Sequence, residues 1–235
     1  MTPIEALERA RRSSAVWIGV GLLLMAAVYV RALVFTPVEA VQGPAQKIFY
    51  IHVPSAWVAF LAFGILGVTS AVYLFLKDPR LDLFAASTAE VAMVFTTAVL
   101  VTGPIWGKPI WGTWWTWDAR LTLMLFLWFV VVAYLVLRTA VHEPAQRARY
   151  SAVLGILGAL LVPFIHVSVY LFRTMHPLPV VLRPGGPSLP GDMLATLLFS
   201  FAVFTLFFVA LLWHRYALAR LADVRARAEA ERADA

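Results

Sequence analysis

Two histidines, His52 and His176, each sit beside an end of a long apolar stretch, and between them in the chain lies the segment WGKPIWGTWWTWDARLT, Trp106 to Thr122. Trp106, Trp111, Trp114, Trp115 and Trp117 are five of the nine tryptophans of the protein, followed at once by Asp118 and Arg120. Indole rings offer broad flat apolar faces with one N–H donor each, and they favour boundaries between hydrocarbon and water. Imidazoles are common axial ligands of haem iron, and guanidinium groups bind carboxylates bidentately. A flat ring system held on an indole shelf, with an imidazole from each side and Arg120, Arg173 and Arg183 toward its carboxylates, describes a haem site. Other readings stay open on these residues alone. The indoles could be a heavy membrane anchor without a ligand. Zinc would need a third or fourth ligand, and no Cys or nearby Asp or Glu accompanies these histidines. A quinone would use a polar contact at each end and has no need of paired histidines.

The elements that must position this set are membrane helices. The chain is 62% hydrophobic and 14% charged, whereas soluble domains carry about 25% charged residues. Six stretches reach the roughly 20 residues needed to cross the hydrocarbon as helix: Ala15–Phe35, Ala56–Leu76, Leu83–Ile105, Leu121–Val141, Ala152–Phe172 and Met193–Trp213. The expected class is an all-α integral membrane protein of one domain over 1–235, because backbone groups in lipid must pair within their own segment. The first stretch is longer than a signal-peptide core and has no small-x-small site before Thr36, so it is expected to be retained. With six spans both termini share a side, which then carries thirteen of the nineteen Lys and Arg residues. The positive-inside rule makes that side cytoplasmic. The basic tail is interrupted by Asp223, Glu229, Glu231 and Asp234, so it reads as a solvated helix end and not as a nucleic-acid site.

Three loops then face outward: Thr36–Ser55 with His52, the tryptophan segment 106–120, and the Pro- and Gly-rich Arg173–Asp192 with His176. The connections Lys77–Asp82 and His142–Ser151 are short and charged and suit plain hairpin turns. Within the tryptophan segment, a helix over Ile110–Arg120 opened by Pro109 would put Trp111, Trp114, Trp115 and Asp118 on one face at i, i+3, i+4 and i+7. Gly107 and Gly112 would allow a turn or a close backbone approach. His166 falls in the fifth span, roughly 9 Å below its end at 1.5 Å per residue, and reads as a buried residue bonded to a neighbouring helix. Glu90, near the start of the third span, reads as a locally paired or snorkelling carboxylate. His142 and His214 are expected to be solvated. The absence of cysteine excludes disulfides, thiolate ligation and covalent haem attachment through C-x-x-C-H. The absence of a phosphate-loop motif leaves nucleotide hydrolysis to another chain.

The segments TGPIWGKPIWGTWWTWDARLT and KIFYIHVPSAW, with six spans, resemble the CcmC family of bacterial cytochrome c biogenesis, whose signature is the "WWD" tryptophan-rich segment. The larger members of the same superfamily have more spans. The resemblance implies a non-enzymatic haem-handling protein of the bacterial inner membrane. It would bind haem b transiently and non-covalently at the periplasmic face, with His52 and His176 matching the axial histidines and Trp114, Trp115 and Asp118 matching the signature. It further implies presentation of haem to a membrane-anchored haem chaperone, with ABC transporter subunits and a small membrane adaptor as partners. Against it stand a b-type cytochrome linked to quinol, which would want histidine pairs deep in facing spans, and a small-molecule permease with an aromatic gate.

Overall fold

A computed structural model describes residues 2–181 and 183–233. Six long helices make up the chain: α1 (Pro3–Val30), α2 (Phe49–Leu76), α3 (Pro79–Trp111), α4 (Ala119–Ala140), α5 (Pro144–Leu171) and α6 (Gly191–Ala233). Each covers most of one expected span, the first span finishing in a π-helical turn over Arg31–Phe35, and all six are long and apolar enough to cross a membrane, so the protein is an all-α, multi-pass membrane protein. The helices begin where the sequence supplies a carboxylate or hydroxyl acceptor. Thr2 and Glu5 form a reciprocal capping box at α1. Asp78 and Glu143 cap α3 and α5, each followed by proline in the first turn, where a missing N–H is harmless. The connections α2–α3 and α4–α5 shrink to Lys77–Asp78 and Val141–Glu143.

α2 and α3 form the central pair; α5 packs on α2 and α4, while α6 packs on α1 and also touches α2 and α3. Phe63 and Leu66 of α2, Ala89 and Phe95 of α3, Leu127 and Val131 of α4, and Phe204 and Phe208 of α6 share one buried core. Small residues bring α2 and α5 together. A Cβ added at Gly158 would stand 2.7 Å from Phe63 Cε1, and one at Gly155 would meet Ser70 and Leu66. In a bilayer, where apolar contact with lipid is as good as apolar contact with a helix, such close approach is a main source of helix association. Charged pairs finish the opposite end. Arg138 of α4 grips Asp82 of α3 through two hydrogen bonds of 2.6 and 2.9 Å, and Arg215 of α6 pairs with Glu90 of α3, one contact being 2.6 Å. Glu90 is thus a locally paired carboxylate. His214 is not merely solvated: its Nδ1 lies 3.1 Å from Ser14 Oγ, tying α6 to α1.

Three local expectations change. No helix runs over Ile110–Arg120. Gly112 ends α3 in the left-handed conformation, φ 75°, with its N–H on the Lys108 carbonyl. Residues 113–118 are irregular until Asp118 opens α4 by accepting from the Leu121 N–H at 3.1 Å. Pro109 lies in the last turns of α3 and opens nothing. A glycine stop and an aspartate start, six residues apart, outweigh an i, i+3, i+4 pattern carried by Thr and Trp, which are indifferent helix formers. His52 is also not in a loop: α2 begins seven residues before Ala56, behind a 3-10 turn over Pro44–Ile48, and His52 stands in its first turn. His166 is exposed along α5 and has no hydrogen-bond partner among the described residues, so the expectation of a buried, bonded histidine fails.

Candidate functional site

Where α2 starts and α3 ends, helix packing fixes the first histidine. The His52 side chain is buried, 8% exposed, and its Nδ1 lies 2.9 Å from Thr102 Oγ1 of α3. Thr102 Oγ1 already donates its proton to the Ala98 carbonyl at 2.7 Å. With that proton on the Ala98 carbonyl, Thr102 Oγ1 accepts from His52, an arrangement that puts the proton on Nδ1 and leaves the Nε2 lone pair free. Gly103, next to Thr102, is what lets the ring lie so close: a Cβ there would stand 3.3 Å from His52 Cε1. Trp106, one turn further along α3, meets the imidazole edge-on at 5.7 Å between ring centres. Trp106 is itself fixed by a bond from its Nε1 to Gln42 Oε1 of the preceding loop, 3.1 Å.

The second histidine reaches the same state by another route. His176 Nδ1 lies 2.9 Å from the carbonyl of Pro177. A carbonyl only accepts, so Nδ1 again carries the proton and Nε2 again keeps a free pair. A neighbouring hydrogen bond of this kind fixes tautomer and ring orientation in metal-binding histidines. Burial, and next the Arg120 cation, push the pKa of His176 below its ordinary value, to about 4, while the Pro177 carbonyl and Asp118 oppose the shift. The ring is thus neutral at physiological pH.

Both histidines line one cavity of about 670 Å³, walled mainly by apolar side chains. Trp106, Trp111, Trp115 and Arg120 share that wall, as do His166 of α5 and the loop residues Pro177, Leu178, Pro179, Val180 and Val181. Two of these groups are buried donors without a partner among the described residues, Trp115 Nε1 and Arg120 Nη1. A buried donor left unpaired costs about 1–3 kcal/mol, and two such donors on an apolar wall suit a ligand that brings its own acceptors. No group of three or more His, Asp or Glu among the described residues is placed to hold a bare metal ion.

Other expected residues lie apart from this wall. Trp114 and Trp117 are 59% and 76% exposed and turn outward, although Trp117 meets Trp115 edge-on at 5.8 Å. The indoles therefore do not form one shelf: three face the cavity and two face out. Asp118 is a positioning residue, holding the Leu121 N–H and the Thr116 hydroxyl with its two oxygens. Arg173 and Arg183 are exposed and do not contribute to the cavity. The residues that sequence reasoning missed are Thr102, Gly103 and Gln42, which orient the named groups, and His166 as part of the wall. Nothing local marks the first three.

Fold and site together define a polytopic membrane protein that gathers imidazole, indole and guanidinium groups around an apolar cavity at one end of its helices. The model of the family "Heme exporter protein C" (CcmC) matches residues 2–232. The chain is 37% identical over 195 residues to Heme exporter protein C of Bradyrhizobium diazoefficiens, covering 83% of this chain and 74% of that protein. It is 33% identical to Heme exporter protein C of Haemophilus influenzae, over 86% of this chain and 82% of that one. It is likewise 33% identical to a putative cytochrome c biosynthesis ccmC-like mitochondrial protein of Marchantia polymorpha, over 82% of both chains. The chain belongs to the CcmC family, and its role lies in haem handling for cytochrome c maturation.

Proposed function

We propose that this protein holds haem b, transiently and without a covalent bond, in the cavity between His52 and His176, and presents it to a haem chaperone. The observation that carries this reading is the matched state of the two imidazoles. Each has its Nδ1 engaged by a fixed partner, and both rings line one cavity. The cavity volume falls within the range of about 300–1,000 Å³ common to small-molecule and cofactor sites. Trp106, Trp111 and Trp115 supply aromatic faces, while Arg120 Nη1 and Trp115 Nε1 are the donors for the propionates. Arg173 and Arg183 would act only at the rim. Trp114, Trp117 and the turn held by Asp118 face outward beside the cavity, and this exposed aromatic surface suits a docking partner. The charge distribution supports cytoplasmic termini and a site on the outer face of the bacterial inner membrane. The partners are a membrane-anchored haem chaperone, ABC transporter subunits and a small adaptor. The chain acts as a carrier in this scheme and not as an enzyme.

The test is the visible absorption spectrum of the purified protein supplied with haem, beside His52→Ala and His176→Ala. A Soret band of six-coordinate low-spin iron is expected in the parent, moving toward a high-spin form in each variant. A parent that takes up no haem overturns the reading.

A further inference from the structure

The cavity is not walled on every side. α2 packs on α3, α5 and α6, and α3 packs on both α5 and α6, but no extensive packing joins α5 to α6 among the described residues. One stripe of α2 stays uncovered in that gap. Trp57 is 46% exposed, and Gly64 and Val68 at i+7 and i+11 on the same face are exposed as well. Trp57 belongs to the segment KIFYIHVPSAW, yet the ligation and donor geometry above give it no part. Its indole reaches α6, donating from Nε1 to Thr205 Oγ1 at 3.2 Å and meeting Phe201 edge-on at 5.9 Å between ring centres. The same Trp57 lines the cavity that holds His52 and His176, so the cavity runs out to the surface of the helix bundle here. On the α5 rim, Ile165 and His166 line it, and His166 is exposed. On the α6 rim, Leu198, Phe201, Ala202 and Thr205 line it, spaced i, i+3, i+4 and i+7 as one helical face, with Leu198 and Ala202 exposed. These four lie inside the uncharged run Met193–Trp213, which has the length of a hydrocarbon crossing. The opening therefore faces acyl chains and not water.

We propose that the gap between α5 and α6, framed by Trp57, is a side mouth through which haem enters the cavity from the bilayer. This rests on the haem reading above. The occupant follows from what the mouth leads to. A lipid chain fills an apolar slot but leaves the Trp115 Nε1 and Arg120 Nη1 donors unpaired. A flat, largely apolar ring with two carboxylates slides past the aromatic rim of Trp57 and Phe201 and meets both donors and the two imidazoles beyond. Entry from the side spares the ring a passage through water. It also leaves the exposed Trp114 and Trp117 free for delivery.

The chain has no cysteine, so a single thiol can be placed on the full-length protein and plugged reversibly. Ala202→Cys puts the thiol on the α6 rim of the mouth. Val209→Cys puts it on the exposed face of the same helix, away from the cavity. Each variant is reconstituted in liposomes, modified with a bulky methanethiosulfonate reagent and mixed with haem, and uptake is followed at the Soret band by stopped flow. Modification at position 202 should slow uptake at least about 10-fold, a barrier increase of about 1.4 kcal/mol. The final spectrum and affinity should stay those of the parent, because a plug in the mouth slows entry and exit alike. Reducing the mixed disulfide, with the reductant removed before haem is added, should restore the parent rate, which a misfolded variant does not do. Modification at position 209 should leave the rate unchanged. Uptake at the parent rate by the modified Ala202→Cys protein, as a slot filled only by lipid predicts, overturns the proposal. Equal slowing in both variants, or slowing with an altered Soret band, overturns it as well. A parent that takes up no haem overturns the haem reading itself, a separate and distinguishable outcome.

Discussion

Replacing Thr102 by valine tests the orientation of His52 without touching any group that would contact haem. Valine keeps the shape of threonine and removes only the hydroxyl. The bond from Nδ1–H to Thr102 Oγ1, 2.9 Å, disappears, while the helical carbonyl of Ala98 loses only an auxiliary donor. An imidazole that stays 8% exposed then holds an orphaned N–H, at about 1–3 kcal/mol. It can relieve this by moving its proton to Nε2, which abolishes that nitrogen's lone pair, or by turning its ring. Either response weakens iron ligation. At 1.4 kcal/mol for each tenfold, haem affinity should fall about 5- to 150-fold, in line with the losses seen when partners of metal-ligating histidines are removed. The assay is a haem titration read at the Soret band, with Thr102→Ser as the control. Serine keeps the acceptor and should bind within about threefold of the parent, half a tenfold step being about 0.7 kcal/mol. Should Thr102→Val bind haem as the parent does, with an unchanged spectrum, the assignment of the His52 tautomer is wrong.

Arg120→Gln should weaken haem binding about 10-fold or more, because a buried charge-assisted bond contributes about 1.5–3 kcal/mol, and haem dimethyl ester should bind parent and variant alike; competition titration measures both. For His176, the sign follows from its lowered pKa. The unfolded chain protonates this ring near about 6.5, the folded chain only near about 4, so its contribution to stability is full above the first value and falls as pH drops between the two. Iron ligation by this ring should survive at pH 5.5, where an ordinary histidine would be mostly protonated, and a spectral midpoint near 6.5 in a pH titration would contradict that environment. Gly158→Ala places a Cβ 2.7 Å from Phe63 Cε1, and overpacking of that kind costs about 1–3 kcal/mol. Thermal unfolding in detergent should show a lower midpoint than the parent, whereas Gly64→Ala, whose added Cβ meets nothing within 4 Å, should not.

The spans were legible because a bilayer imposes a coarse requirement: an apolar run of helical length and internally paired backbone. That requirement says where each helix must cross and little about where it ends. The ends are decided by capping groups, and these account for most of the differences. Asp78, Glu143 and Asp118 start α3, α5 and α4 at their own positions, and the Gly112 left-handed turn dismantles a helical face that periodicity alone favoured. His52 moved from a loop into α2 for the same reason, since the helix starts as soon as the 3-10 turn at Pro44–Ile48 delivers the chain.

The chemistry of the site divides along a similar line. His, Arg and Trp stand out in an apolar sequence because lipid tolerates them poorly or sorts them to its surface, so His52, His176, Trp106 and Arg120 could be picked out by type. Their division of labour could not, because it depends on which way a side chain turns. Trp115 presents a partnerless N–H to the cavity while Trp114, its neighbour, is 59% exposed. The residues that give the histidines their ligating form are less visible still. Thr102 lies 50 positions from His52 and is one of several threonines whose hydroxyls bond back to their own helix, as Thr96 and Thr97 also do in α3. Only the packing of α2 against α3, with Gly103 leaving room for the ring, turns that ordinary hydroxyl into an acceptor for imidazole. Residue type thus reveals which groups can bind iron, but helix contact determines whether an imidazole presents a lone pair or a proton. A tryptophan-rich segment transplanted without that contact should keep its membrane affinity and lose its ligand.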